Sequence, residues 1–181
     1  DTIKLPGLGS AWGFTGDPNH METFYSYSSY NMPSTIYRYD FTINKSFIYK
    51  KSNINFDSSK YITKREFCLS KDGTKVPVFI THQKNLVLNG SNPTLLGAYG
   101  GFNISITPGF SSNSIVLLEN GGVYARACLR GGGEYGEKWH RDGMLDKKQN
   151  VFDDFIAASE YLINQGYTSP DFLAIQGGSN G

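Results

Sequence analysis

At 181 residues the chain can build one domain with a real core, or parts of two, since domains cluster near about 100 to 150 residues. Hydrophobic residues make up 39% and charged residues 18%, and no apolar run approaches the roughly 20 residues that cross a bilayer, so no membrane partner is expected. A formal net charge of +1 gives no electrostatic reason to expect nucleic acid or anionic lipid either.

The N-terminal stretch Asp1-Thr2-Ile3-Lys4-Leu5-Pro6 has neither a basic region nor an apolar one, so no signal peptide is read there. The first fifty or so residues are rich in Tyr and Phe, alternate, and are cut by turn residues. Phe24–Tyr27 and Ile36–Phe41 read as strands separated by Asn31-Met32-Pro33-Ser34, with Tyr37, Tyr39 and Phe41 on one face, and Phe47–Lys50 makes a third. Short antiparallel strands at this spacing fit a propeller blade or a sandwich edge, and periodicity does not choose between them. A lone blade could not bury both its faces, so neighbouring blades are expected.

Composition shifts near Asn53 to Lys60. Beyond it, Thr63–Leu69 and Lys75–Thr81 read as strands joined through Lys71-Asp72-Gly73-Thr74, where Asp-Gly is a strong hairpin signal. Pro77 has no amide hydrogen to donate, which predicts an edge strand. Leu95–Tyr99 and Val123–Leu129 are compact and mostly apolar, as buried parallel strands are. Cys68 and Cys128 are far apart and form no C-x-x-C pair, so they read as free thiols in a reducing compartment, with neither disulfide nor metal. The sequons at Asn44, Asn89 and Asn103 read as chance triplets in an Asn- and Ser-rich chain.

A helix is predicted with Asn150 as its cap, Asp153 and Asp154 in its first turn, and Phe152, Phe155, Ile156, Ser159, Leu162 and Ile163 at helical spacing. Gly166 follows as a left-handed stop. A turn at Tyr167–Pro170 leads into the apolar strand Phe172–Gln176, which runs straight into Gly177-Gly178-Ser179-Asn180-Gly181. That pentapeptide matches the G-x-S-x-G turn which presents the nucleophilic serine of α/β-hydrolases. In a chain with 21 glycines the motif alone is weak, but the helix, loop and apolar strand before it supply the context a nucleophile elbow needs.

A serine nucleophile needs a histidine base and a carboxylate to orient that base. His20, His82 and His140 all precede Ser179, whereas the α/β-hydrolase order is Ser, then Asp or Glu, then His, so each reads as structural or surface-exposed. Asp153 and Asp154 point about 100° apart on a helix and are given no catalytic role. The glycine runs at Gly100-Gly101 and Gly131-Gly132-Gly133 match neither nucleotide-binding fingerprint, so no cofactor is expected. Tyr99-Gly100-Gly101-Phe102 lies at the carboxyl end of an apolar strand, the edge where open α/β sheets bind ligands. A phenol there could donate to a developing oxyanion, although on the residues alone Tyr99 and Phe102 read rather as core aromatics.

Four segments together resemble the prolyl oligopeptidase family: Ala98–Asn103, Arg130–Gly136, Lys148–Asn150 with Phe152–Phe155, and Gly177–Gly181. The match runs in order over about residues 60 to 181. The resemblance implies an α/β fold, with the last blade of a β-propeller over residues 1–56 and the first part of an α/β-hydrolase catalytic domain over 57–181. It implies Ser179 as nucleophile, the Asn180 N–H and the Tyr99 phenol as oxyanion donors, and Phe102 as an aromatic wall for a proline ring. Tyr99 thereby changes from a core reading to a catalytic one. The related oligopeptidase B branch typically carries Ala where this chain has Asn180. The implied activity is a cytoplasmic, monomeric, cofactor-free serine peptidase acting on short proline-containing peptides. Its Asp and His would lie beyond Gly181, so this stretch alone is expected to be inactive. The alternatives are another esterase or peptidase on the same scaffold, or a non-catalytic α/β-hydrolase-like binding domain.

Overall fold

Alternating tyrosines build the first of two sheets. The structure, a computed structural model, describes residues 2–181 and divides them into two units. The first comprises the residues up to Lys60 together with Thr107–Ser112. In it β1 (Ser10–Thr15), β2 (Glu22–Ser29), β3 (Met32–Asp40) and β4 (Lys45–Lys51) form an antiparallel meander in chain order. Period-2 alternation puts Tyr25 and Tyr27 of β2 and Tyr37 and Tyr39 of β3 into one buried cluster. Tyr25 lies directly opposite Tyr37 in the ladder, and their rings stack at 5.2 Å. Two of the cluster's hydroxyls have partners: Tyr25 bonds Ser46 at 2.9 Å and Tyr39 donates to Asn44 Oδ1 at 3.2 Å.

Two expectations in this unit change. Phe41 falls outside β3 and is exposed, and the turn is confined to Tyr30-Asn31, so Met32-Pro33-Ser34 belong to the strand. The strand tolerates Pro33 because Pro33 and Ser34 together oppose the single residue Ser28 across a bulge. The segment Thr107–Ser112 joins this unit through the Ser10 hydroxyl, which donates to Pro108 O at 2.8 Å, and the Phe110 N–H, which donates to Ser28 Oγ at 3.0 Å.

The second unit holds a five-stranded sheet in the order β5-β6-β8-β7-β9, built from β5 (Tyr61–Leu69), β6 (Lys75–Gln83), β7 (Thr94–Tyr99), β8 (Val123–Cys128) and β9 (Leu173–Gln176). β5, β6 and β8 pair antiparallel, while β7 runs parallel to both β8 and β9. Helix α1 (Ser112–Glu119) lies between β7 and β8, and α2 (Glu137–Arg141) and α3 (Gln149–Asn164) lie between β8 and β9. Val76, Val78, Ile80, Leu96, Val123, Ala125 and Ala127 are fully buried in the core that Val151, Ala158 and Leu162 of α3 share. The β5–β6 hairpin turns at Asp72-Gly73, with Gly73 at φ 82 and the Ser70 N–H donating to Thr74 O at 2.8 Å. No helix among the described residues is long and apolar enough to cross a membrane.

β6 is an interior strand, not the edge that Pro77 suggested. The ladder with β8 spans only Val78–Thr81, so the missing amide hydrogen of Pro77 lies beyond its end and removes no bond from it. Helix α3 departs further from expectation. It starts at Gln149 with Lys148 in the cap position, and Asn150, inside the helix, donates through its side chain to Asp142 O at 2.8 Å. Its buried face is Val151, Asp154, Ala157, Ala158 and Leu162, whereas Phe152 and Ile156 are 53% and 54% exposed. Small residues let the helix approach the sheet closely, and the carboxylate among them explains the shift of face.

Asp154 is 0% exposed and meets Arg130, itself 4% exposed and two residues past the end of β8. The guanidinium donates to both Asp154 oxygens at 2.6 to 3.1 Å, and the Arg130 backbone N–H adds a third anchor at 3.0 Å. Its remaining donors reach Asp72 Oδ2 at 2.5 Å and Ser70 Oγ at 3.2 Å in the β5–β6 turn. A buried ion pair whose hydrogen bonds are all made is tolerated, but breaking it strands a charge in the core.

Replacing Asp154 by Ala in the full-length protein is therefore expected to cost about 3–5 kcal/mol of unfolding free energy, read by urea titration followed through tryptophan fluorescence. Asp72→Asn, which removes a half-exposed partner, is expected to cost far less. The hydrogen bond from Arg130 holds the Asp72 carboxyl down at about 2, against an ordinary 3.8. Its contribution to stability is complete above its unfolded pKa near 4 and is lost as the pH falls towards 2. Acid unfolding of Asp72→Asn should show a shallower loss of stability across that window.

Candidate active site

Parallel pairing of β7 with β9 sets the geometry. Gly97 is level with Gln176, so Ala98 and Tyr99 continue alongside Gly177 and the residues after it. There the chain turns sharply. The Gly181 N–H donates to Gly178 O at 2.9 Å, closing a four-residue turn whose second residue, Ser179, sits at φ 55. A left-handed serine is strained, and it is held on an exposed turn. Gly177 permits the turn, because a Cβ there would overlap the Gly181 carbonyl. The turn folds back on β7: a Cβ built on Gly181 would lie 2.6 Å from Ala98 O and 3.4 Å from the ring of Tyr99.

Asn180 is half-buried and faces the loop after β7. Its Nδ2 donates to Gly100 O at 2.7 Å, and a Cβ on Gly101 would collide with that same carboxamide, so the close approach needs glycine. Lys148, at the start of α3, donates from Nζ to Gly100 O and to Asn180 Oδ1, each at 2.9 Å. Burial pulls its ammonium pKa down from the ordinary lysine value. Phe102 and Asn103 follow at φ 52 and 56, and Phe102 is 73% exposed. The Asn103 N–H points between Gly131 O at 3.1 Å and His140 Nδ1 at 3.2 Å, and those two acceptor positions are themselves 2.7 Å apart.

Ser179, Asn180, Tyr99 and Phe102 thus come from two neighbouring strand ends and their loops. Two of the three histidines have other partners. His140 is tied to the Gly131 carbonyl, and His82 is buried against Tyr167, where desolvation lowers its pKa and Nδ1 lies 2.7 Å from Gln83 O. His20 belongs to the first unit. Both thiols are buried, and burial pushes Cys68 up to about 11 and Cys128 up to about 12, so neither is a competing nucleophile. Among the described residues no group of three or more His, Cys, Asp or Glu side chains could hold a metal ion. Sequence reasoning missed Lys148 and Arg130 as functional contacts. Each bonds partners distant in sequence, and no local spacing signals that.

The turn that carries the exposed Ser179 thus folds against the end of the strand that carries Tyr99. The comparisons with known proteins agree. The family model described as the prolyl oligopeptidase family matches residues 108–181, and that of the prolyl oligopeptidase N-terminal β-propeller domain matches residues 1–52. A prolyl endopeptidase of Elizabethkingia miricola is 49% identical over 179 residues, covering 99% of this chain and 25% of its own length. A structure solved in a study of two prolyl endopeptidases superposes with a TM-score of 0.91 at 48% identity, covering 100% of this chain and 27% of that one. A post-proline cleaving enzyme from Rickettsia typhi follows at a TM-score of 0.86 and 39% identity, covering 99% of this chain and 26% of its own. The chain therefore spans about a quarter of the length of the relatives it matches. Its first sheet is a blade of the propeller and its second begins the α/β-hydrolase sheet. With both parts of the pattern present in order, the chain belongs to the prolyl oligopeptidase family of serine peptidases.

Proposed function

We propose that this chain carries the nucleophile and the oxyanion hole of a serine peptidase that cleaves short peptides on the carboxyl side of proline. The observation that supports it most is Ser179, held at φ 55 on an exposed turn beside the strand end that carries Tyr99. Residues 1–56 belong to the propeller and 57–181 to the catalytic domain in this reading.

In the first half-reaction Ser179 Oγ attacks the prolyl carbonyl carbon and gives up its proton to a histidine base supplied from outside these residues. The Tyr99 hydroxyl and the Asn180 N–H donate to the oxygen that becomes negative. Collapse breaks the C–N bond, and the same base passes the proton to the leaving amine. Water then attacks the acyl-serine ester, releases the proline carboxylate and restores the hydroxyl. Phe102 provides an aromatic wall for the proline ring, which would favour this residue over a charged one at the cleavage position. The post-proline cleavage named for the Rickettsia typhi relative supports that specificity.

Fluorophosphonate labelling of the full-length protein should disappear in Ser179→Ala, and unchanged labelling would move the nucleophile elsewhere. Tyr99→Phe should lower kcat on a Gly-Pro-linked chromogenic substrate by about 10²–10³. Faster turnover of an Arg-linked than of a Pro-linked substrate would reject the specificity. The 181-residue chain alone should turn over neither, because its serine then lacks a base.

A further inference from the structure

We propose that Lys148 is a positioning residue that holds the two oxyanion donors in fixed relation to each other, by clamping the Gly100 carbonyl to the Asn180 carboxamide. The inference rests on the roles given above to Ser179, Tyr99 and Asn180.

One donor hangs from the end of β7 and the other from the turn after β9, and neither strand extends far enough to pair through the loops that follow. Three hydrogen bonds close the gap: Lys148 Nζ to Gly100 O, Lys148 Nζ to Asn180 Oδ1, and Asn180 Nδ2 to Gly100 O. Gly100 adjoins Tyr99 directly, and Asn180 supplies the second donor from its own backbone. Both lone pairs of the Gly100 carbonyl are engaged, and the carboxamide has only one workable orientation. Turned over, its NH₂ would face the ammonium and its oxygen would face a carbonyl. Any side chain at Gly101 would displace the carboxamide from this position, since a Cβ there would already strike it.

Lys148 projects from the start of α3, which is packed on the sheet through Val151, Ala157, Ala158 and Leu162. The clamp is thus anchored in the core rather than in the loops it joins. Oxyanion donors act through their distance from the developing charge, and misplacement by about 1 Å costs on the order of a hundredfold in rate. Lys148 acts through the two loops it bonds, which carry the donors, so its loss should appear in kcat rather than in KM.

The test uses full-length protein with Lys148→Met, which removes the donors, and Asn180→Ala, which removes their anchor while leaving both the Asn180-position N–H and the lysine charge in place. Each variant should lose about tenfold or more in kcat on a Pro-linked substrate, with KM within about twofold of the parent. Affinity for a peptidyl prolinal, whose hemiacetal with Ser179 places an oxyanion in the same hole, should fall by the same factor as kcat/KM. The double variant should be no worse than the more impaired single one, because both changes open one clamp. Wild-type kcat in either variant, a change confined to KM, or additive losses in the double variant would overturn the proposal. If Lys148→Met does not fold, as judged by its melting temperature, Asn180→Ala alone decides between the same outcomes. Ser179→Ala separates the two levels: residual full activity there removes the reading of the site, whereas an inactive Ser179→Ala beside fully active clamp variants removes the clamp alone.

Discussion

A single guanidinium joins parts of the catalytic sheet that the chain keeps far apart. Arg130 follows β8, yet it bonds Asp154 on α3 and both Asp72 and Ser70 in the turn between β5 and β6. Such a pair is a poor source of net stability, since desolvating both charges offsets most of their attraction. The planar fork accepts carboxylates only in its own plane, so helix, strand and turn are fixed in mutual orientation as well as in distance.

The consequences run outward to the reactive edge. The residue directly after Arg130 supplies the Gly131 carbonyl, which accepts the Asn103 N–H and lies 2.7 Å from the His140 ring. The loop after β7 follows Tyr99, carries Phe102 and leans through Gly100 on Lys148 at the start of α3. Because α3 is itself held by Asp154, the support behind the loops that carry Gly100 and Asn180 descends from the ion pair in the core. Strain at Ser179 is sustained by this surrounding order: a left-handed serine on a free loop would relax.

Much of this arrangement is legible in the residues, for identifiable reasons. Strands with alternating tyrosines, compact apolar runs and the Asp72-Gly73 turn obey local rules, and the structure has them where the pattern puts them. An apolar strand running into Gly177–Gly181 likewise announces its turn locally. The buried face of helix α3 differs from the expected one because local rules seek large apolar residues, whereas close packing on the sheet selects Ala157, Ala158 and a carboxylate with a distant partner. Pro77 misleads for a related reason: where a ladder stops depends on the neighbouring strand. Strand β1 and helices α1 and α2 escape sequence reasoning, the helices being short and without a strong apolar period. Lys148 lies in a segment that carries the family resemblance, but its contacts have no local signal, since they are a carbonyl and a carboxamide brought to it by two other loops.

The buried thiols have a practical bearing. With Cys68 and Cys128 enclosed and their ionisation pushed up to about 11 and about 12, maleimide chemistry near neutral pH finds almost no thiolate within these residues. A cysteine introduced at an exposed position such as Phe152 would offer the dye-coupling reagent a uniquely accessible target on this part of the protein, with both native sulfurs left in place.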